Sequence, residues 1–370
     1  MKKPVTLFTV ILIFVLLLLS SIGCGTTLTG KIAFVGSYED APDYSVFVMN
    51  ADGSNQIELA PAHFILFPHQ YLSPDGTRFV NIESSQGTHW LCLIDADSGN
   101  QQKLADLPEL SPMTMSWAPD GKKIIMGCFV GAEAKEMNGE IQERYYQDIY
   151  ALDVEAGEFK RLTDTLSTQE FYPQYSPDGS KIAYVASNHD PDTWEVTSVC
   201  ICVIDADGTD QNKAIILVEE PNGLVIPYWS PDSKRIAYTW YDEEAGRNSA
   251  DIFLVDVESA SRANLTNTPT IGDFDPSWSP DGSRIAFCSG ITRDVYHLRV
   301  MDLNGKIVSE LYDLTDYPAG FPSWSPDGSK IVFTDRHDIY TIDADGSNLK
   351  TLVKGEGTYR DILYPIWLSQ

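Results

Sequence analysis

The chain has 370 residues, 53 of them acidic and 26 basic, for a formal charge of −27, and 43% of its side chains are hydrophobic. The apolar share is enough for a large packed core and excludes a disordered chain. The excess of negative charge excludes nucleic acid and other polyanions as partners.

Met1-Lys2-Lys3 is followed by an apolar run from Val5 to Leu19 and then by Ser20-Ser21-Ile22-Gly23-Cys24-Gly25. That pattern predicts a signal peptide over 1–23 rather than a membrane span. The small residue before Cys24 resembles a bacterial lipobox, although Ser21 stands where Leu is usual. Cys24 is therefore the expected lipidation site and 24–29 a tether. Removing Lys2 and Lys3 leaves 24 basic against 53 acidic side chains, a charge of −29. Each buried methylene contributes about 0.8 kcal/mol, so several acyl chains hold a soluble domain at a membrane. The expected location is a bacterial cell envelope, outside the cytoplasm.

The first strand signal is Lys31-Ile32-Ala33-Phe34. From there one motif recurs: Leu72-Ser73-Pro74-Asp75-Gly76, Trp117-Ala118-Pro119-Asp120-Gly121, Tyr175-Ser176-Pro177-Asp178-Gly179, Trp229-Ser230-Pro231-Asp232-Ser233, Trp278-Ser279-Pro280-Asp281-Gly282 and Trp324-Ser325-Pro326-Asp327-Gly328. The aspartates are 45, 58, 54, 49 and 46 residues apart. A period near this length with four strand-like runs per unit predicts a β-propeller. In the last full unit the runs are Phe321–Trp324, Lys330–Phe333, Asp338–Asp343 and Asn348–Leu352, joined at turns by Ser-Pro-Asp-Gly and Asp345-Gly346. The second runs, such as Ile236-Ala237-Tyr238 and Ile285-Ala286-Phe287, are apolar on both faces, as a blade between two neighbours requires. Ser233 replaces the turn glycine, which predicts a slightly altered turn there.

Tyr364-Pro365-Ile366-Trp367-Leu368 reads as a first run with no second run after it, and Lys31–Phe34 as a second run with no first. Trp367 lies 43 residues after Trp324 and is in register. The expectation is an all-β fold over 30–370: a seven-bladed β-propeller of four-stranded antiparallel blades, closed when the C-terminal strand joins the first blade.

These repeats resemble the TolB-like, WD-like β-propeller repeat, through the Trp-Ser-Pro-Asp-Gly-Ser-Lys-Ile-Ala-Phe stretch and the downstream Ile-Tyr-x-x-Asp-x-Asp-Gly stretch. The resemblance implies a propeller scaffold found in binding proteins, in peptidase propeller domains and in some polysaccharide lyases. The α/β domain that TolB carries ahead of its propeller is expected to be missing, because about five residues separate Cys24 from the first strand. No Gly-x-Ser-x-Gly elbow of an α/β-hydrolase is found.

Strands alternate in direction, so the short Ser-Pro-Asp-Gly and Asp-x-Asp-Gly turns share one face. The longer two–three loops and the inter-blade loops share the other, where binding residues are expected. Gly127 to Gln147 reads as an insertion loop carrying Glu133, Glu136, Glu140, Tyr145 and Tyr146. Ser187 to Ser198 holds His189, Asp190, Asp192 and Trp194, and Trp240-Tyr241-Asp242 opens another loop. Inter-blade loops add His63, Phe64, Phe67 and His69, then Asp273, Phe274 and Asp275. The candidate binding set is Trp194, Trp240, Tyr241, Asp242, His189, Asp190, Tyr145 and Tyr146: aromatics beside carboxylates stack sugar rings, grip peptide side chains or hold a cation.

Cys92, Cys128, Cys200, Cys202 and Cys288 read as buried thiols. Asp343-Ala344-Asp345-Gly346, Asp205-Ala206-Asp207-Gly208 and Asn50-Ala51-Asp52-Gly53 look like calcium loops but lack the EF-hand spacing, so they read as turns. No catalytic residue, metal or cofactor is expected. The expected function is a non-catalytic, membrane-anchored propeller that binds an envelope protein or glycan. The alternatives are a carbohydrate-active lyase or hydrolase with a site in the central funnel, and a subunit of a surface complex.

Overall fold

The computed structural model describes residues 30–38, 44–61, 71–85, 88–96, 98–107, 111–137, 140–165, 168–190, 192–208, 215–220, 226–241, 250–268, 272–292, 295–314 and 320–368. The leader, Cys24, the tether, His63 to His69 and Asp242 lie outside them. Every helix or strand among the described residues is a strand.

Strands β1 (Lys31–Tyr38), β2 (Tyr44–Asn50) and β3 (Ile57–Pro61) form an antiparallel sheet with the last strand, β27 (Tyr359–Trp367), in the order β27-β1-β2-β3. Ile32 is opposite Trp367, as the register of the repeat demands. In the next unit β4 (Arg78–Ser85), β5 (Thr88–Asp95) and β6 (Gln101–Asp106) pair in order, and Leu72 bridges to Phe79 ahead of them.

Two four-stranded units follow: β7 (Ser111–Trp117), β8 (Lys123–Met137), β9 (Glu140–Asp153) and β10 (Phe159–Arg161), then β11 (Thr168–Tyr175), β12 (Lys181–His189), β13 (Val196–Asp205) and β14 (Ile215–Glu220). A single parallel pairing, Gln169 with Gln147, links them. Three further antiparallel sheets take strands in sequence order. They are β15 (Tyr228–Trp229), β16 (Arg235–Tyr241), β17 (Ala250–Asp256) and β18 (Arg262–Asn264); β19 (Gly272–Trp278), β20 (Arg284–Thr292), β21 (Val295–Asp302) and β22 (Ile307–Leu314); and β23 (Gly320–Trp324), β24 (Lys330–Thr334), β25 (Ile339–Asp343) and β26 (Lys350–Val353).

The repeated turn explains its own sequence. In Ser325-Pro326-Asp327-Gly328 the Ser325 hydroxyl donates to the Asp327 carboxylate at 2.7 Å and accepts the Lys330 N–H at 2.9 Å. Asp327 also accepts the Ser329 N–H. The Ser–Asp bond recurs at Ser73, Ser176, Ser230 and Ser279. Gly328 has φ +70, the left-handed region that glycine enters at no steric cost. The altered turn expected at Ser233 is absent: Ser233 takes φ +60 and closes the same bond to the Ser230 carbonyl. Its hydroxyl accepts the N–H of Asp178 from the preceding unit, which offsets the strain.

Both faces of the second strands are covered. Ile331, Val332 and Phe333 are fully buried, as are Ile236, Ala237 and Tyr238. Successive sheets share apolar layers: Val185 and Tyr238 lie in one cluster, Ala237 and Phe287 in another, Ala286 and Phe333 in a third, and Val332 and Phe34 in a fourth. Indole N–H groups tie inner strands together: Trp117 donates to the Tyr71 carbonyl, Trp229 to Gln174, Trp278 to Tyr228 and Trp324 to Ser277.

The stretch expected to be an insertion loop between Gly127 and Gln147 is instead a long hairpin arm. Strands β8 and β9 stay paired out to Met137 opposite Glu140. Asn138 and Gly139, between those partners, are the dipeptide that favours a two-residue hairpin link. Likewise Asp273, Phe274 and Asp275 lie inside strand β19 rather than in a loop.

Candidate functional site

The inner strands carry a kink just ahead of the repeated aromatic. Pairing slips between Phe171 and Gln174, between Phe274 and Ser277, and between Gly320 and Ser323. At the slips Tyr172, Asp275 and Phe321 adopt φ of +53, +55 and +45, and Tyr364 in β27 adopts +52. Each precedes a proline, which disfavours the right-handed helical region for the residue before it. A bulge of this kind re-aims a side chain, and left-handed non-glycine residues collect at functional sites.

The kinks at Asp275, Phe321 and Tyr364 border a cavity of about 260 Å³ between the inner strands. Its lining comes from β11, β15, β19, β23 and β27, and includes Tyr228, Trp229, Asp275, Trp278, Phe321 and Tyr364. The rings of Phe321 and Tyr364 are 4.2 Å apart, tilted by 50°. Pro276, Pro322 and Pro365 contribute wall without an N–H. The carbonyls of Gln174, Tyr228 and Ser277 are taken by the indoles above, and the Ser323 hydroxyl accepts the Trp367 N–H at 3.0 Å. Asp275 is the carboxylate of this lining, and burial pushes its carboxyl up to about 7. The sequence reading places Asp275 in a loop; the signal for its position is the X-Pro pair that begins three residues before Tyr175, Trp229, Trp278, Trp324 and Trp367.

The candidates taken from the long loops sit elsewhere. His189, Asp190 and Trp194 build one turn between β12 and β13. The Asp190 carboxylate accepts the N–H groups of Asp192 and Thr193, and the His189 ring lies between the Ser187 hydroxyl and the Trp194 carbonyl. Trp194 is half-buried with φ +60. Lys135 of the hairpin arm donates to the Asp192 carbonyl at 2.9 Å, so the arm bearing Tyr145 and Tyr146 leans on this turn. Tyr145 is opposite Ala132 and Tyr146 opposite Gly131. Trp240 packs edge-on against Phe253 within its own sheet, and Tyr241 pairs with Ala250. The structure thus gathers the arm and the 187–198 turn but leaves Trp240 on another sheet. The side chains of His189, Asp190, Trp194, Tyr146 and Trp240 do not line the cavity.

A second polar cluster joins two units. Arg161 bonds the fully buried Asp148, and Glu170 accepts from the Thr163 and Thr165 hydroxyls. Burial, with the Asp148 charge adding, pushes the Glu170 carboxyl up to about 7. The arrangement repeats with Asp251, Thr266, Thr268 and Asp273, which marks it as a clasp of the repeat. The supposed calcium loops are turns: Asp52 accepts from Ser54 N and Oγ, and Asp345 from Ser347 N and Oγ.

Comparison with known proteins agrees with this architecture. The acylamino-acid-releasing enzyme of Rattus norvegicus is 28% identical over 199 residues, spanning 50% of this chain and 26% of that protein. An uncharacterized protein of Agrobacterium fabrum is 32% identical over 230 residues, 58% of this chain and 67% of the other. The crystal structure of oligogalacturonate lyase from Vibrio parahaemolyticus superposes with a TM-score of 0.59 at 12% identity, covering 88% of this chain and 86% of the lyase, a likeness of fold alone. The chain spans about a quarter of the length of the first curated relatives it matches. The TolB beta propeller domain matches residues 180–364, half of the chain. With its repeated turns, its antiparallel four-stranded units and this match, the chain belongs to the TolB β-propeller domain family.

Proposed function

We propose that the protein is an exported, lipid-anchored, non-catalytic propeller that binds an envelope protein or glycan. The units described above are its seven blades. The pairing of β27 with β1, together with the apolar cluster that Val332 and Phe34 share and the bond from Trp367 N–H to Ser323, supports a closed ring. The leader ahead of Cys24 supports export and acylation, and the family supports an envelope setting.

The observation that carries the binding reading is the cavity between the inner strands, with their kinks and aromatic side chains. A preformed apolar cavity with a convergent polar group is the usual form of a ligand site. The long-loop face, with the turn of His189, Asp190 and Trp194, the arm of Tyr145 and Tyr146, and Trp240, Tyr241 and Asp242, supplies the outer contact surface. The rival reading, a lyase or hydrolase, needs a second acid–base group or a metal beside Asp275.

The test is a ligand screen of the mature, acylated chain against envelope glycans and peptides, with metal analysis and product analysis alongside. Binding without turnover supports the reading. Turnover of an oligosaccharide that is lost in Asp275→Asn overturns it in favour of the enzyme. Unchanged binding after separate alanine replacement of Trp194, Trp240 and Asp242 removes the long-loop face from the site. Intact-mass detection of a diacylated Cys24 supports the anchor, and an uncleaved leader rules it out.

A further inference from the structure

Three adjoining inner strands present Asp275, Phe321 and Tyr364 from the same kinked position ahead of a proline, and all three border the cavity. The result is one carboxylate beside a wall of two aromatic rings. No donor among the described residues bonds the Asp275 carboxylate. Its surroundings explain why: the prolines next in sequence have no N–H, and the Trp278 and Trp324 indoles nearby are spent on the Tyr228 and Ser277 carbonyls. Asp275 is partly buried at the cavity wall; a carboxylate with part of its hydration removed by apolar surroundings is disfavoured in its charged form, and a cation brought to it recovers that cost.

We propose that this cavity is a binding site for an alkylammonium group, with Asp275 as its counter-ion and the Phe321 and Tyr364 rings as the surface that covers its carbon chain. The proposal rests on the binding reading above and names the chemistry of the ligand. Aromatic faces attract cations within about 6 Å of the ring centre, and more strongly where water is excluded. An ammonium supplies the donors that the wall lacks. A hard divalent ion is a poor match, because it asks for about six to eight oxygen ligands, whereas the wall beside Asp275 is carbon. Two sources carry an alkylammonium group: a lysine side chain projecting from a partner protein, and a free small amine.

Binding carries a proton signature. Burial holds the Asp275 carboxyl up at about 7, so a bound cation draws it into the ionised form and expels a proton near neutrality. Affinity then rises as pH increases through this range and levels off above it. The other titratable groups around Asp275 are Cys288 on β20, Asp273 on its own strand, and Tyr175, Tyr228 and Tyr364 on the strands lining the cavity.

The experiment is calorimetric titration of the mature chain with n-butylammonium, tetramethylammonium and a short lysine peptide. The neutral controls are 1-pentanol and the same peptide with its lysine acetylated, and each series is run at pH 5.5 and 8. The expected result is that the cations bind, more tightly at pH 8, and that the neutral controls bind at least about tenfold more weakly. Asp275→Asn lowers cation affinity by about tenfold to a hundredfold, the range for a charged hydrogen-bond partner, without lowering Tm. Should that variant fail to fold, Tyr364→Leu tests the aromatic wall with the same series and is expected to weaken tetramethylammonium most. A free amine that competes with the lysine peptide assigns both sources to one site. Binding by the peptide and not by free amines assigns the site to a protein partner. Equal binding of 1-pentanol and n-butylammonium, or equal cation binding by wild type and Asp275→Asn, overturns the proposal. A glycan or uncharged peptide that binds both proteins alike overturns it too, while leaving the binding reading standing.

Discussion

The indole N–H of Trp324 donates to the carbonyl of Ser277, 3.1 Å away on the neighbouring inner strand. Trp367 occupies the same place in the repeat, yet its buried indole N–H has no partner among the described residues. Trp324→Phe leaves the Ser277 carbonyl unpaired and is expected to cost about 1–3 kcal/mol. Trp367→Phe removes an orphan donor and is expected to cost clearly less. Urea titration of the two variants, compared at unchanged m-value, checks the difference.

Ser233 separates two effects that usually travel together. Ser233→Gly relieves the left-handed strain but loses the bond from Asp178 N–H, so its stability is expected within about 0.5 kcal/mol of the parent. Ser233→Ala keeps the strain and loses the bond, and should lose about 1 kcal/mol. Thermal denaturation ranks the three proteins; alanine equal to serine at this position would contradict the role given to the hydroxyl.

The buried Glu170 should make the protein less stable as pH rises through neutrality. Its folded carboxyl sits at about 7, above its unfolded value, so the native state binds the extra proton in between. Stability from this group is therefore complete below the unfolded value and lost as pH rises through about 7. Glu170→Gln is expected to flatten that slope in denaturation curves taken from pH 5 to 8. The turn aspartates act in the opposite direction. Asp281, held down to about 2 chiefly by the Ser279 hydroxyl, contributes stability above the unfolded carboxyl range that is lost as pH falls toward 2.

All five described cysteines are buried and free, and burial raises the thiols of Cys128, Cys202 and Cys288. A thiol reagent such as Ellman's is expected to react slowly with the native protein and to titrate these five only in denaturant. Rapid native reaction at Cys200 or Cys202 would contradict the burial of β13.

The repeat was legible because turn chemistry is local. Ser-Pro-Asp-Gly specifies its own hydrogen bonds, so strand order, the doubly buried second strands and the pairing partner of Trp367 could all be read from spacing. The arm between Gly127 and Gln147 was misread as a loop because its polar residues hide the strand period, although Asn138-Gly139 carried the hairpin signal. The cavity was missed for a different reason. Asp275, Phe321 and Tyr364 are more than forty residues apart in pairs, and only stacking of the sheets brings their kinks side by side. His189 and Asp190 looked like binding groups because sequence does not show that their polar atoms are already engaged within the turn.

The pairing of Ile32 with Trp367 joins positions about 335 residues apart. Such a contact carries a large loop-closure entropy and is expected to form late in folding. Until β27 has been synthesised, Phe34 has no cover from that side and β1 keeps an open edge. During that interval the growing chain is most exposed to aggregation and most dependent on chaperones. The same proximity makes the protein a candidate for circular permutation: a short peptide bridging the two ends, with new termini cut at an exposed Ser-Pro-Asp-Gly turn, would shift the late step to a different sheet.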